Sequence, residues 1–384
     1  MPDLILVTSS YPQAEDGREA AGGFVADLAR TLAAQGEQVR VIAPGDRRTV
    51  ASQDGLTVHR YWAPAAPLST LRPWRPRELL QMLRTLASGR AQLRAALREC
   101  DAPFVLALWA VPAGLWAWSL RCRYSCWVLG SDIWTWSRIP GARAVLRRVL
   151  RASIAVYADG YALGRQTEEF AGCPVDFLPS TRAIGRAPPD RRCSPPYRLL
   201  FLGRWHPNKG IDLLLDALGQ LTDDDWHAIE SVCVAGGGPL EARVKSEVAA
   251  LQARGRPVQL KGFLDKAAAR QAILAADFLL IPSRIESIPV VFSDAVKLGC
   301  PVIATPVGDL PQLAAISRWG RLCDAATAEA IAAAIRSATQ PAREHTPYDL
   351  EAVGRIFDLD AIAAQLVQHA RESAAPGTAG ERRA

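Results

Sequence analysis

The sequence predicts an α/β protein with parallel sheets, divided into two domains. Three observations carry this. The chain has 384 residues, a length that fits two domains and leaves ample material for two cores. Short apolar runs alternate along it with segments of helical period, as in strand–helix units whose strands are buried on both faces. Residues 181–196 (Thr-Arg-Ala-Ile-Gly-Arg-Ala-Pro-Pro-Asp-Arg-Arg-Cys-Ser-Pro-Pro) are rich in Pro and Arg and hold no core-forming run, so they read as a linker.

In order, residues 4–8 give the first buried strand. A Ser-Ser-Tyr-Pro loop and the pair Gly22-Gly23 follow, opening a helix through Leu28, Leu32 and Gly36. Glycines at a helix start let backbone approach a phosphate, and a plain tight turn accounts for them equally. Strands are expected at 39–43, 58–62, 104–108, 124–129, 153–157 and 175–178. Residues 77–98 form an amphipathic helix, with Leu79, Met82, Leu86, Leu93 and Leu97 on one face and Arg77, Arg84, Arg94 and Arg98 opposite. The arginine face reads as solvated cover for the sheet, or as a patch for anionic lipid headgroups beside Trp74.

The second domain opens with a strand at 198–203. The loop Arg204-Trp205-His206-Pro207-Asn208-Lys209-Gly210 and a helix over 211–218 follow. Its Gly-flanked Arg and Lys can clamp a diphosphate between two cations. Strands come next at 232–234, with a glycine turn after it, and at 258–260, followed by Lys261-Gly262-Phe263. The run Phe278-Leu279-Leu280-Ile281 leads into a loop carrying Glu286, and Val290, Val291, Asp294, Ala295 and Leu298 then keep helical spacing. Glu286 is thereby placed at the carboxyl end of a parallel strand, where open α/β sheets bind ligands. Glu286 and Asp294 straddle a helix start and can hold sugar hydroxyls, while the backbone N–H groups of Ser287, Ile288, Pro289 and Val290 attract a phosphate. A strand at 301–304, a short helix near 307–311 and an apolar helical face over 349–371 complete the chain. The tail from 373 is expected to be disordered. Asp358-Leu359-Asp360 sits at a helix start and reads as a cap.

Composition narrows the class. Hydrophobic content of 49% and charge of 22% suit a soluble globular protein. Eight cysteines form no Cys-x-x-Cys pair, which suggests reduced thiols in the cytoplasm, and five scattered histidines give no metal-site spacing. No secretory leader is expected, since the apolar run at 4–7 is short and lacks a basic flank. Residues 102–120 carry no charge, but Pro112 and Gly114 interrupt them, so a strand, turn and helix are expected there rather than a membrane span. Charge is lopsided. Residues 1–196 carry 25 Arg and 17 acids, and the remainder is slightly acidic, so an anionic partner would dock on the first half.

Several segments together resemble retaining glycosyltransferases of family 4, which have the GT-B fold. The donor-site signature of that family is an acid, seven residues and a second acid, matched here by Glu286 and Asp294. Its Gly-Arg-x4-Lys-Gly motif matches Gly203, Arg204, Lys209 and Gly210. Its His-Trp-x-x-Pro-x-Gly and His-Gly-x-Asp loops match 108–114 and 129–132, with Leu108 and Leu129 at the histidine positions and Gly130, Ser131 and Asp132 kept.

The resemblance implies two doubly wound Rossmann-like domains facing a cleft. They span 1–180 and 197–345, and a terminal helix within 346–372 crosses back to the first. It implies Arg204 and Lys209 on the leaving diphosphate, Glu286 at the donor sugar and Asp294 at the ribose. Gly22 and Gly23 would lie by the phosphates and acceptor, and Gly262 and Phe263 would frame the base. The activity implied is retaining, metal-independent sugar transfer from a nucleotide-diphosphate sugar in polysaccharide or glycolipid assembly. No cofactor and no nucleic acid are expected. The acceptor could be lipid-linked and the site peripheral on the cytoplasmic face of a membrane. A non-catalytic binding subunit and a nucleotide-sugar epimerase are the rival classes.

Overall fold

A computed structural model describes residues 3–13, 22–65, 71–72, 74–185, 192, 194–340 and 348–374. The expected disordered tail beyond 374 and the linker core at 186–191 lie outside the described residues. The chain divides into two compact units. One runs to Pro179 and resumes at Leu359, and the other extends from Ser180 to Asp358.

The first unit is an eight-stranded sheet. Its strands are β1 (Asp3–Val7), β2 (Val39–Gly45), β3 (Thr49–Gln53), β4 (Leu56–Trp62), β5 (Pro103–Leu108), β6 (Tyr124–Val128), β7 (Val156–Ala158) and β8 (Asp176–Phe177). The order is β3-β4-β2-β1-β5-β6-β7-β8, with every pairing parallel except β3 on β4. Alternation along the central strands feeds two cores. Leu4, Leu6 and Leu106 enter one, and Ile5, Val7 and Val105 enter the other, so helices must cover both faces. The chain leaves β1 in one direction and β5 in the other, which makes their carboxyl ends the point where strand order reverses.

The helix Pro76–Arg98 turns the expected apolar face inward over most of its length: Leu93 is buried, Leu86 and Leu97 pack against the core, and Arg77, Arg84, Arg94 and Arg98 are exposed. Thr85, Ser88, Gly89, Leu93 and Ala96 are the buried positions, and Leu79 is exposed. Gly89 is also on the buried side, where the Trp116 indole lies so close that a Cβ there would meet it at 2.3 Å. The apolar region at 349–371 is also not one helix. Glu351–Ile356 packs in the second unit, and Leu359–Ala374 lies in the first, with Ile362, Leu366 and Val367 in the core beside the helix Gly23–Ala34.

The second unit is a six-stranded parallel sheet of β9 (Tyr197–Arg204), β10 (Ile229–Gly237), β11 (Val258–Lys261), β12 (Phe278–Ile281), β13 (Val302–Ala304) and β14 (Gly320–Leu322). Its order is β11-β10-β9-β12-β13-β14. The strand order reverses between β9 and β12, and every residue of β12 is buried. Among the described residues, no helix is long and apolar enough to cross a membrane, and the described cysteines are free thiols.

Candidate active site

The reversal point of the second unit brings together the loops after β9 and β12. Beyond Arg204, which is exposed, the chain makes a tight turn over Pro207–Lys209 and enters the helix Ile211–Gly219 through Gly210. Gly210 has φ +65°, and a Cβ on it would lie 1.8 Å from the carbonyl oxygen of Pro282. Only glycine lets the two loops approach this closely. Lys209 reaches across and forms a short ion pair with Glu286 Oε1, which also accepts from Ser283 Oγ at 3.1 Å. Residues 77 positions apart thus form one charged centre, and Arg204 stands at the end of β9, the strand that leads into the Lys209 loop.

The acid-bearing loop is braced from three directions. Arg284 grips Asp212 with two N–H···O bonds of 2.8 Å each and donates to the carbonyl of Pro207 at 2.6 Å. Burial pushes the Asp212 carboxyl up, but the Arg284 guanidinium outweighs it and holds the group below its ordinary range. Thr305 Oγ1 donates to Ser283 O at 2.5 Å, and the backbone N–H of Asp309 donates to Ser287 O at 3.1 Å. Such a frame is what a preorganised electrostatic site requires. Ser283, Arg284, Asp212 and Thr305 were not singled out from the sequence. Only Ser283, three residues before Glu286, gave a local hint.

The helix Val290–Lys297 starts with Pro289 at its N-cap. Proline has no N–H, so of the four groups expected to attract phosphate, only Ser287, Ile288 and Val290 have one to offer. Asp294, expected at a ribose, is wholly buried, and Arg182 lies against it. The guanidinium Nε donates to Oδ2 at 2.8 Å, and a terminal nitrogen makes a second short bond to the same oxygen. Gly262 and Phe263 follow β11, where Gly262 O accepts from the Gly236 N–H at 3.1 Å and the Phe263 ring is exposed.

In the first unit the reversal point carries the expected glycine loop. Gly22, at φ +73°, precedes the helix Gly23–Ala34, and a Cβ on it would lie 2.3 Å from Ser10 O. After β6, Gly130 has φ +95° and lies under the Trp134 ring. Ser131 begins the helix Ser131–Trp136 and is exposed. Asp132 is buried and spends both oxygens on backbone N–H groups: Ala110 at 2.9 Å on one, Ile133 at 3.1 Å and Leu129 at 3.3 Å on the other. Burial raises its pKa against the lowering effect of those bonds. The side chain therefore ties the loop after β5 to the loop after β6. Leu108 is buried, and Leu129 packs half-buried on the core, so neither presents a polar group.

Comparison with known proteins bears on this arrangement. Residues 196–340 match the sequence family described as glycosyl transferases group 1. The chain is 25% identical over 359 residues to the GDP-mannose-dependent alpha-(1-6)-phosphatidylinositol monomannoside mannosyltransferase of Mycobacterium tuberculosis, covering 87% of this chain and 88% of that one. It is 27% identical over 372 residues to the D-inositol 3-phosphate glycosyltransferase of Jonesia denitrificans, covering 83% of each. Its fold is similar to sucrose-phosphate synthase from Thermosynechococcus elongatus, with TM-score 0.72, 19% identity and coverage of 97% and 99%. The Anabaena protein HepE, solved with UDP and glucose, has TM-score 0.64, 16% identity and coverage of 96% and 99%. Two Rossmann-like units, each with its motif loops at the reversal point, and the structural matches give the chain the GT-B fold, and its sequence is similar to glycosyltransferases.

Proposed function

We propose that this glycosyltransferase moves a sugar from a nucleotide-diphosphate sugar to an acceptor hydroxyl with retained configuration and without a divalent metal. The observation that supports it best is the Lys209–Glu286 pair at the reversal point of the second unit, with Arg204 on the adjoining strand end. As the sugar–phosphate bond breaks, negative charge grows on the diphosphate and positive charge on the sugar. Arg204 and Lys209 meet the first, and Glu286 faces the second. The acceptor hydroxyl attacks from the leaving-group side and can pass its proton to the departing phosphate, so no imidazole is needed at position 129. The intact cation–carboxylate centre favours this reading over a non-catalytic subunit. The described site offers no histidine–carboxylate acid–base set of the kind epimerisation calls for.

Relatives act on a phosphatidylinositol mannoside and on an inositol phosphate, which supports a lipid-linked or polyol acceptor. A membrane surface is the matching location. Trp74 is 74% exposed, Leu80 66% and Leu83 55%, and they lie among Arg72, Arg75, Arg77 and Arg84. Apolar side chains ringed by arginine suit the boundary between anionic headgroups and acyl chains on the cytoplasmic face. The test is a transfer assay over a panel of nucleotide sugars with wild type, Arg204→Ala and Lys209→Ala. Each variant should lose diphosphate affinity by about tenfold or more, as for a charge-assisted contact. Unchanged affinity in both would refute the assignment of the loop.

A further inference from the structure

Asp294 and Arg182 form a buried pair in which one atom is out of balance. Asp294 Oδ2 receives two N–H donors from Arg182. Its Oδ1 is equally sealed and has no hydrogen-bond partner among the described residues. A buried carboxylate oxygen without a donor is costly, so native structures rarely keep one unless a water, ion or ligand completes it.

The pair is held in place from below. Lys297, itself buried, donates from Nζ to Thr181 Oγ1 at 2.5 Å and to Arg182 O at 2.6 Å. The hydroxyls of Thr181 and Ser293 lie 3.2 Å apart, within bonding distance. Residues 181 and 182 are therefore fixed to the helix that carries Asp294, and two guanidinium nitrogens share one of its oxygens. A carboxylate with both oxygens open can accept from two neighbouring hydroxyls. With Oδ2 already saturated, only Oδ1 can accept.

We propose that Arg182 is a specificity-determining positioning residue that restricts Asp294 to a single hydroxyl of the donor nucleotide's ribose. The inference rests on the reading of the chain as a nucleotide-sugar enzyme with Asp294 at the ribose. Arg182 is the more exposed member of the pair, 20% against 0%. Asp294 and the arginine at 182 act as one unit that takes one ribose oxygen and leaves the other without a charged acceptor.

Calorimetric titration of the full chain with uridine and guanosine diphosphates, and with the 2′-deoxy and 3′-deoxy forms of whichever binds, tests this. Removing one hydroxyl should weaken binding about tenfold or more, and removing the other by less than about twofold. Asp294→Asn should bring the two deoxy forms close to equal. Arg182→Met frees the second oxygen and should change the ratio between them, while Arg182→Lys should retain it. Equal loss for both deoxy forms in the wild type overturns the proposal. So does a uniform loss of affinity in Arg182→Met with the ratio unchanged, which is what a merely structural arginine would give. If Arg182→Met does not fold, the wild type and Asp294→Asn decide. Failure of both diphosphates to bind wild type overturns the nucleotide-sugar reading itself, and this inference with it.

Discussion

Replacing Glu286 by Gln should move binding and turnover in opposite directions. In the resting site Lys209 is spent on Glu286, and its side chain is 28% exposed while that of Glu286 is 13% exposed. Partial exposure limits what the pair is worth, and about 0.2–1 kcal/mol is the range for such contacts. A nucleoside diphosphate must draw Lys209 away from this partner and sit near a second negative charge. The neutral amide removes both penalties, so diphosphate affinity should rise by about 1.4- to 5-fold. The loop should keep its place, because Arg284, Thr305 and Asp309 hold it without using Glu286. Turnover should nonetheless fall by a factor of about 100 to 1,000, since the charge that faces the developing cation is gone. Titration calorimetry with the diphosphate and initial rates at saturating donor measure the two effects. A variant that loses affinity in step with turnover would refute the reasoning and make Glu286 a prop for the phosphate loop.

Three further outcomes are expected. Cosedimentation with anionic vesicles at low salt should be lost on changing Trp74, Leu80 and Leu83 together to Ser, and salt should weaken it in the wild type. Absence of binding to such vesicles at any salt concentration would leave these side chains without a lipid role. Gly210→Ala should destabilise the chain by at least about 1–3 kcal/mol in denaturant titration, because the new Cβ would lie 1.8 Å from a backbone oxygen at φ +65°. Acid should loosen the second unit through Asp277. Burial would raise its pKa, but bonds from the Arg198 side chain and backbone lower it below 3.8 overall. A depressed carboxylate contributes stability above its unfolded pKa and loses it as pH falls through the folded value. Melting temperature should therefore drop below about pH 4 in the wild type and less steeply in Asp277→Asn.

The sheet and its punctuation were readable because they are local. Phe278–Ile281 can only be a buried strand, and Gly210 and Gly22 sit where backbone crosses backbone. The antiparallel β3 was missed although Asp54-Gly55, both at positive φ, gave a standard hairpin-turn signal. The helix at 76–98 was readable from its apolar spacing, except at Leu79, which is exposed. A helical wheel does not show the close approach of Trp116 to Gly89. Asp294 was placed at the ribose by the family resemblance, and nothing local shows that Arg182, 112 residues away, would lie on it. Pro289 was legible and overlooked: its missing N–H is a property of the residue alone. The Lys209–Glu286 contact itself follows only once β9 and β12 are known to be neighbours.

The central claim is that Arg204, Lys209 and Glu286 drive same-face sugar transfer without a metal. Proton NMR of the first-formed product, from an anomerically pure donor and with a strong chelator present, addresses it directly. The account predicts a glycoside with the anomeric configuration of the donor, formed at the same initial rate with and without chelator. An inverted product, or a rate that disappears with chelator and returns with added magnesium or manganese, would contradict it.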